Sequence, residues 1–394
     1  MLTREENELL TRVGPGTPAG ELLRRYWMPV GYVEELADQP TKFVRIMGED
    51  LVLFKNKGGH IGLLADHCSH RGASLLYGRV EERGIACAYH GWLYDTDGNV
   101  LECPAEPAGS QFHRTVKHVA YPVREFIGMY WAYLGPLPAP EIPRYDVWVR
   151  KDGRRTLELQ PQLDANWLQP MENSADPAHL QILHQTLANG GRVPPSTTRG
   201  FTDDVMSLEF FEFDFGLMKR RTYKNGKVDH HPLLFPNILR QGDATQIRVP
   251  IDDTHTQIYF VHFEPTEDGA IVEDEGLPPL SYTAPYKSPP DALHPFTRFD
   301  MTLDVQSQDH MAWETQGPIY DRTTERLATS DRGVVMLREM LLREIEGVQQ
   351  GRDPKCLMRD PQHPMIDTNL SEGLAEIAAR RGQRRSREAV AANR

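Results

Sequence analysis

Short alternating runs of apolar and polar residues dominate the chain from Pro29 to Pro136. Two of them are 43–47, Phe-Val-Arg-Ile-Met, and 51–54, Leu-Val-Leu-Phe, and Gly- and Asp-containing turn signals separate such runs. This alternation is typical of antiparallel strands, because successive side chains of a strand point to opposite faces. The pattern therefore predicts a small antiparallel β domain. Helical pieces over 1–27, punctuated by Gly-Pro-Gly at 14–16, are predicted to precede it.

The pattern changes after the proline-rich connector 134–143, LGPLPAPEIP, which predicts a boundary between a domain at 1–143 and a second domain at 144–394. Beyond the connector, strand-like and helical patterns mix, so the fold class is predicted to be α+β, with antiparallel sheets and helices. Alternating runs cover 206–216, 246–251 and 256–263, and helical spacing covers 166–187, 307–315 and 331–349.

Composition narrows the class of protein. Hydrophobic residues make up 39% and charged residues 25% of the 394 positions, which is typical of a globular protein. No apolar run is long enough to span a membrane and the N-terminus lacks a signal-peptide core, so we expect a cytoplasmic location. The formal net charge of −12 argues against nucleic acid and anionic membranes as partners. The basic stretch 380–385 fits a solvated tail.

Two of the four cysteines belong to paired Cys/His loops. Cys68-Ser-His70 and Cys87-Ala-Tyr-His90 are separated by sixteen residues, and Gly72 and Gly91 follow the two pairs. A Rieske [2Fe–2S] cluster needs two thiolates on one iron and two imidazoles on the other, and these two loops supply that set. A zinc site in a structural or regulatory protein is the alternative, although zinc fingers usually place the two cysteines together.

A second group of candidate ligands lies in 166–184, NWLQPMENSADPAHLQILH. Asp176 and His179 share a face of a helix, whereas His179 and His184, five residues apart, do not. Both histidines can bind one metal only if the helix is distorted or ends between them, and Asn189-Gly190 marks a nearby stop. Two histidines and one carboxylate form the facial triad of non-haem Fe(II) oxygenases. Histidines buried in a core are the alternative.

These motifs resemble those of the Rieske non-haem iron ring-hydroxylating oxygenases, in particular the oxygenase component (α subunit) of the phthalate dioxygenase type. The matching patterns are Cys-x-His, Cys-x-x-His-Gly-Trp and Glu-Asn-x-x-Asp-x-x-His-x(4)-His. The resemblance implies that His179 and His184 bind mononuclear Fe(II) and that Asn173 lies close to it. It also implies that Asp176 hydrogen-bonds His179 and links it to a cluster histidine, by implication His90.

The third iron ligand is less directly indicated. Residues 308–322 resemble the C-terminal block of the phthalate type, and the resemblance implies that Asp309 completes the triad. Asp304, Glu314 and Asp321 are competing carboxylates, and a cap or salt-bridge role for Asp309 is a further alternative.

The resemblance also implies partners and a reaction. No Gly-x-Gly-x-x-Gly follows a strand and no second cysteine set exists, so electrons must come from a separate NAD(P)H-dependent flavin/iron–sulfur reductase. The family assembles as a homotrimer, possibly as a dimer of trimers, in which each cluster serves the iron of the neighbouring chain's helix-grip-like catalytic domain. The expected reaction is hydroxylation of an aromatic carboxylate with O₂, with O-demethylation as the alternative. Arg240 is a candidate carboxylate anchor, or else a member of an ordinary ion pair.

Overall fold

The computed structural model describes residues 1–184, 205–273, 276–283 and 305–368. The predicted stop at Asn189-Gly190, the alternative ligand Asp304 and the basic stretch 380–385 lie outside these residues. The helices are α1 (Arg4–Thr11), α2 (Pro18–Leu23), α3 (Glu35–Asp38), α4 (Asp146–Val149), α5 (Leu168–Ala175), α6 (Ala178–Ile182), α7 (Val305–Glu314) and α8 (Arg332–Gln349).

The N-terminal half contains three small antiparallel sheets, in the orders β1-β11-β10, β2-β3-β4-β9 and β5-β6-β7-β8. The two named alternating runs form β2 and β3 of the second sheet. The first Cys/His loop follows β4 of that sheet, and the second loop connects β6 and β7 of the third sheet. The strands of the three sheets are β1 (Met28–Tyr32), β2 (Thr41–Ile46), β3 (Glu49–Lys55), β4 (Ile61–Ala65), β5 (Arg79–Val80), β6 (Ile85–Ala86), β7 (Leu93–Tyr94), β8 (Val100–Glu102), β9 (Ala120–Tyr121), β10 (Val123–Phe126) and β11 (Met129–Ala132).

The C-terminal half is built on one eight-stranded sheet, in the order β13-β14-β15-β16-β17-β18-β12-β19. Its strand pairs are antiparallel apart from β12 with β19. Together with the helices, this confirms the predicted α+β class. The strands are β12 (Gly153–Leu159), β13 (Val205–Phe213), β14 (Gly216–Tyr223), β15 (Val228–Leu234), β16 (Ile238–Gln241), β17 (Ala244–Pro250), β18 (Thr256–Pro265) and β19 (Leu280–Tyr282).

Helix α8 packs closely on α5, the helix that leads into the histidine segment. Its apolar face, which includes Val334, Leu337 and Leu341, is buried, as its spacing predicts. A Cβ at Gly333 would lie 2.3 Å from the Ala175 carbonyl oxygen, so glycine is required for this close approach.

The hydrophobic core does not divide at the proline-rich connector. One buried cluster runs from the N-terminal helices through β1–β4 into the large sheet and α8, and a second lies beneath the Cys/His loops. The Trp167 indole N–H donates to the Leu10 carbonyl at 3.2 Å, and the Asn166 amide donates to Thr11 at 2.8 Å. The N-terminal helices therefore pack on the C-terminal half. Among the described helices, none combines the length and apolar character needed to cross a bilayer.

Candidate metal centres

The two Cys/His loops have the same backbone hydrogen bonds. Gly72 N–H donates to the Cys68 carbonyl at 2.8 Å, and Gly91 N–H donates to the Cys87 carbonyl at 2.9 Å. Each cysteine N–H donates in turn to the carbonyl five residues ahead, at 2.9 Å in both loops. Gly72 and Gly91 have φ values of +72° and +73°, which only glycine adopts without strain. The sequence thus folds into two equivalent loops that face one another.

The four side chains of these loops form two separate pairs. Cys68 and Cys87 are 3% and 4% exposed and their thiols contact one another, whereas the rings of His70 and His90 lie near the surface with centroids 4.6 Å apart. The ligand atoms of these four side chains do not all converge on one point. Among the described residues, one group of three side chains has its ligand atoms within 4.8 Å of one another, and that group belongs to a different site. Four ligands of one zinc ion would converge more closely than these do, because Zn–S and Zn–N bonds are about 2.0–2.3 Å long. Two pairs set apart fit a two-iron cluster.

Polar contacts support this cluster site. The Tyr94 hydroxyl lies 3.0 Å from the Cys68 sulfur. The backbone N–H groups of Tyr89 and His90 donate to the Cys87 sulfur, which moderates a thiol pKa raised chiefly by burial. The Trp92 ring stacks on His70 with a centroid separation of 4.6 Å. These donors are suited to holding charged sulfur in a buried place.

Within the stretch 166–184, which has helical spacing, the helix is broken at Asp176-Pro177. Asp176 caps α5 in an extended conformation (φ −100°, ψ 109°), because the proline that follows disfavours helical backbone at the preceding residue. Helix α6 then carries His179 and ends at Ile182, before His184. The requirement that the helix end between the two histidines is met, and both rings can face one point.

Three side chains meet there. His184 Nε2 lies 3.4 Å and His179 Nε2 lies 3.9 Å from Asp309 Oδ1, and the two rings are nearly perpendicular at 84°. The ligand atoms of all three lie within 4.8 Å of one another. His184 Nε2 is buried without a hydrogen-bond partner, which fits an atom meant for a metal. Asp309 lies inside α7 and not at its cap, and among the described residues its ion-pair partners are the two histidines of the triad.

The two competing carboxylates within the described residues lie elsewhere. Glu314 Oε1 accepts the Asp164 N–H at 2.9 Å, and Asp321 is exposed and accepts from the Thr323 N–H and hydroxyl. Two residues next to the triad orient it instead. His184 Nδ1 lies 2.8 Å from Gln308 Oε1, so its N–H donates to the amide and leaves Nε2 free. Asn173 Nδ2 lies 3.4 Å from Asp309 Oδ1.

Asp176 lies behind His179. Its Oδ2 is 3.7 Å from His179 Nδ1, longer than the direct hydrogen bond that the resemblance implies, and its Oδ1 accepts the Ala178 N–H at 2.7 Å. Burial raises the pKa of Asp176, but the His179 ring and the N–H groups of Ala178 and His179 lower it more, so the net shift is downward. For His184, burial lowers the pKa, whereas Asp309 and Gln308 more than offset it, so the net shift is upward.

A buried charge network fixes the helix beneath these residues. Glu172 on α5 accepts from Arg322 at 2.7 and 2.8 Å and from Arg338 at 2.6 Å, and all three side chains are buried. Arg338 in turn pairs with Glu325. Because each buried charge has an opposite partner, the network ties α5 to α8 and to the 320–325 segment.

The triad opens into a cavity that is lined on one side by the large sheet. Two buried cations that the sequence analysis did not select, Lys219 on β14 and Arg248 on β17, line it. Each of them directly follows an apolar residue in a strand. A cation in such an alternating strand was the sign in the sequence that could have indicated these two residues. Arg248 donates to Gln246 Oε1 at 2.7 Å, while its Nε and Nη1 are buried without a partner.

The structure corrects the candidate anchor Arg240. On β16 its neighbours Leu239 and Gln241 line the cavity, so Arg240 points to the opposite face, because side chains alternate along a strand. There it is buried and paired with Asp146 at 3.0 Å, and it also donates to the Thr368 hydroxyl at 3.0 Å. Arg240 therefore has the ion-pair role that was the alternative for it, and Arg240 is not among the residues that line the cavity.

Comparisons with known proteins agree with this geometry. Residues 26–122 match the Rieske [2Fe-2S] domain family, and residues 297–376 match the family described as LigXa C-terminal domain like. The chain is 40% identical to the 5,5'-dehydrodivanillate O-demethylase oxygenase subunit of a Sphingobium species, over 92% of this chain and 84% of that protein. It is 34% identical to the phthalate 4,5-dioxygenase oxygenase subunit of Pseudomonas putida, over 89% and 88% of the two chains.

A solved structure shares the fold. The terminal oxygenase of carbazole 1,9a-dioxygenase from Nocardioides aromaticivorans superposes with a TM-score of 0.61 at 20% identity, covering 87% of this chain and 98% of that one. The likeness in sequence and fold shows that this chain belongs to the Rieske non-haem iron oxygenases. It is the oxygenase component of a multicomponent system, with a [2Fe–2S] cluster and a mononuclear iron as its cofactors. The expected family and cofactors are confirmed, and the zinc alternative is set aside.

Proposed function

We propose that Cys68 and Cys87 hold one iron of the cluster, that His70 and His90 hold the other, and that His179, His184 and Asp309 hold the mononuclear iron. The burial of the thiols and the outward position of the imidazoles support the first assignment. The convergence of three ligand atoms supports the second. Bound there, the iron would supply O₂ activation, since the triad leaves coordination positions open.

The residues of the chain have separate tasks in this proposal. Gln308 fixes the His184 tautomer, Asn173 restrains the Asp309 carboxylate, and Asp176 faces the outer nitrogen of His179. Asp176 links His179 to a cluster histidine, by implication His90 of a neighbouring subunit, in a homotrimer or a dimer of trimers. Electrons come from a separate NAD(P)H-dependent reductase. The four free cysteines fit a reducing, cytoplasmic location.

The substrate that the cavity favours is an aromatic carboxylate, which the enzyme hydroxylates. The observation that carries this proposal is Arg248, a buried guanidinium that faces the cavity with two N–H-bearing nitrogens unpaired. Burial lowers the pKa of Arg248 to about 9, and the Asp309 charge opposes that shift, so the group stays cationic at neutral pH. An unpaired buried cation is costly, and a substrate carboxylate would satisfy it.

O-demethylation of a methoxylated aromatic acid is the second candidate, because the relative at 40% identity carries that activity in its name. Both reactions use the same carboxylate anchor, so product analysis must separate them. We would incubate the chain with a matching reductase and NADH, using a panel of benzoate, phthalate, 3- and 4-methoxybenzoate and vanillate. Formaldehyde release marks demethylation, and a diol without formaldehyde marks ring hydroxylation. The neutral amides of these acids are tested alongside them, and O₂ uptake with the amides but with none of the acids would contradict the proposal.

Arg248→Gln is expected to raise the Kd for the best panel acid by at least about 30-fold, since unpairing a buried charge costs about 2 kcal/mol or more. It should also abolish the preference for that acid over its neutral amide, which a general loss of packing would not do. Binding to the oxidised protein can be measured by calorimetry. Arg220→Gln is the matched control, because Arg220 lies on the same sheet but is paired with Glu209 outside the cavity. An unchanged acid/amide ratio in Arg248→Gln would reject the anchor.

Tyr94→Phe is expected to lower the reduction potential of the cluster without removing it. A donor to a ligand sulfur stabilises the more negative reduced state, and Tyr94 is 3.0 Å from the Cys68 sulfur. Losing about 1 kcal/mol of hydrogen bonding corresponds to a shift on the order of 40 mV for one electron. A spectroelectrochemical titration measures it, and Tyr77→Phe, at an exposed tyrosine, serves as control. An unchanged potential would show that the hydroxyl does not donate to the sulfur.

A further inference from the structure

The buried lysine of the cavity has no role in the assignments above. Lys219 is 3% exposed, lies in the cavity with the triad, and has no hydrogen-bond or ion-pair partner in the described part of the chain. It stands directly opposite His231 in the β14–β15 pair. Burying an ammonium group is expensive, so a lysine in this cavity calls for a chemical reason.

The surroundings of Lys219 lower its pKa, so the ammonium group loses its proton easily. Burial above all, together with Arg221 and Arg248, lowers its pKa to about 7, and Asp176 and Asp229 partly oppose that shift. Arg221 is held in place by two hydrogen bonds to Asp229, at 3.0 and 2.9 Å. The Arg221 guanidinium also donates to His231 Nε2 at 3.2 Å.

His231 completes the ring of groups around Lys219. Burial lowers its pKa to about 4, with Lys219 and Arg221 adding to the shift, so its ring is neutral at pH 7. Lys219 is therefore the cationic member of this pair. The titratable and charged groups that face Lys219 from the packed elements are Arg221, Asp229, His231, Asp176 and Arg248.

The oxygenase reaction consumes protons in this cavity. Ring dihydroxylation combines the arene, O₂, two electrons and two protons into one diol. Demethylation combines the methoxyarene, O₂, two electrons and two protons into a phenol, formaldehyde and water. In both cases O₂ is reduced, the external reductase supplies the electrons, and two protons must reach oxygen in a site that excludes bulk water.

We propose that the Lys219 ammonium group, which lines the same cavity as His179, His184 and Asp309, is the donor of one of these protons, and would deliver it to the reacting oxygen when iron is held there. In this step one N–H bond of Lys219 breaks and one O–H bond forms, and the neutral amine then takes a proton from solvent before the next turnover. The inference rests on the oxygenase chemistry and not on which aromatic acid is the substrate. A general acid works best when its pKa lies near the working pH, which the surroundings of Lys219 provide.

The test compares Lys219→Met, Lys219→Arg and Lys219→Ala with the exposed control Lys227→Met, using the panel acid that gives the fastest O₂ uptake. Lys219→Arg keeps the positive charge, but a guanidinium does not release its proton near neutral pH. If Lys219 is a general acid, Met and Arg should both lower kcat by about 100-fold. The wild-type kcat should fall as pH rises through the lysine pKa, and the variants should lose that limb.

Two further measurements distinguish proton donation from binding. The Kd of the panel acid for the oxidised protein should change less than about threefold in all variants, because the proposal gives Lys219 no share of ground-state binding. Added methylammonium should partly restore Lys219→Ala, in proportion to the protonated amine. Near-normal kcat in Lys219→Arg would overturn the proposal, as would a tenfold weaker Kd with normal kcat, or failure of methylammonium to restore Lys219→Ala. Each of these results would leave the oxygenase assignment itself intact.

Discussion

Asp309→Ala is expected to remove the mononuclear iron completely while leaving the cluster in place. The carboxylate is the single negative charge of the triad, and its Oδ1 lies between the two imidazoles, 3.4 and 3.9 Å from their Nε2 atoms. Two neutral imidazoles without that charge and third contact make a weak site for a divalent cation. Iron analysis should therefore fall from three to two atoms per chain, with an unchanged visible spectrum and no substrate-dependent O₂ uptake.

The control for this experiment is Asp321→Ala, which removes an exposed carboxylate of the competing set. It should keep three iron atoms and normal turnover. If Asp309→Ala retains its third iron, a carboxylate outside the described residues completes the triad, and Asp304 is the first to test. Loss of the cluster in Asp309→Ala would instead indicate that the substitution disturbs the whole fold.

The proposed ligand residues of the cluster and of the iron histidine pair could be chosen from the sequence because their spacing is local. Cysteine and histidine at fixed short spacings on two loops limit the metal centre to few possibilities, and the loop glycines have the positive φ that such turns need. The two loops face one another only in the folded protein, but the motif already implies that they do. Asp309 was harder, because it lies more than a hundred residues from His184. Only its resemblance to a family block indicated it.

The proposed carboxylate anchor, Arg248, could not be chosen from the sequence, because the choice depends on which face of a strand meets the cavity. Arg240 and Arg248 both lie in apolar strands of the same sheet. Leu239 is paired with Gln246, and both side chains face the cavity. Arg248, two residues after Gln246, faces the cavity too, whereas Arg240, one residue after Leu239, faces away from it. A shift of one residue exchanges the two faces of a strand, and the sequence does not specify that register.

The break in the histidine helix was foreseeable from one residue. Residues 166–187 have helical spacing, and binding of one metal by both histidines requires the helix to be distorted or to end between them; Pro177 disfavours helical backbone at Asp176. The break ends α5 at Ala175 and turns Asp176 towards His179. Because Gly333 lets α8 approach the Ala175 carbonyl, and Glu172 ties α5 to two arginines, the position of Asp176 is set by packing on several sides.

Asp176→Asn should separate electron transfer from iron binding. Asparagine keeps the oxygen that accepts the Ala178 N–H at 2.7 Å, so the local fold and both metal centres should remain. At the other oxygen, 3.7 Å from His179 Nδ1, an amide N–H would face an imidazole N–H, and the negative charge is lost. Changes in residues that orient metal ligands typically cost about 10–100-fold, and we expect at least about 100-fold here because the same group lies on the proposed electron path.

The measurements that check Asp176→Asn are iron per chain, the cluster spectrum and reduction potential, and substrate-dependent O₂ uptake with the reductase. Because the pKa of Asp176 is lowered below its usual value, the wild-type carboxylate stays ionised throughout the neutral range, and its protonation should not limit turnover above about pH 5. Asp176→Glu is the matched control, since it restores the charge at a longer reach and should recover part of the rate. Near-normal turnover in Asp176→Asn would show that the carboxylate is not on the electron path. Loss of the mononuclear iron in that variant would show instead that Asp176 is needed to hold the metal.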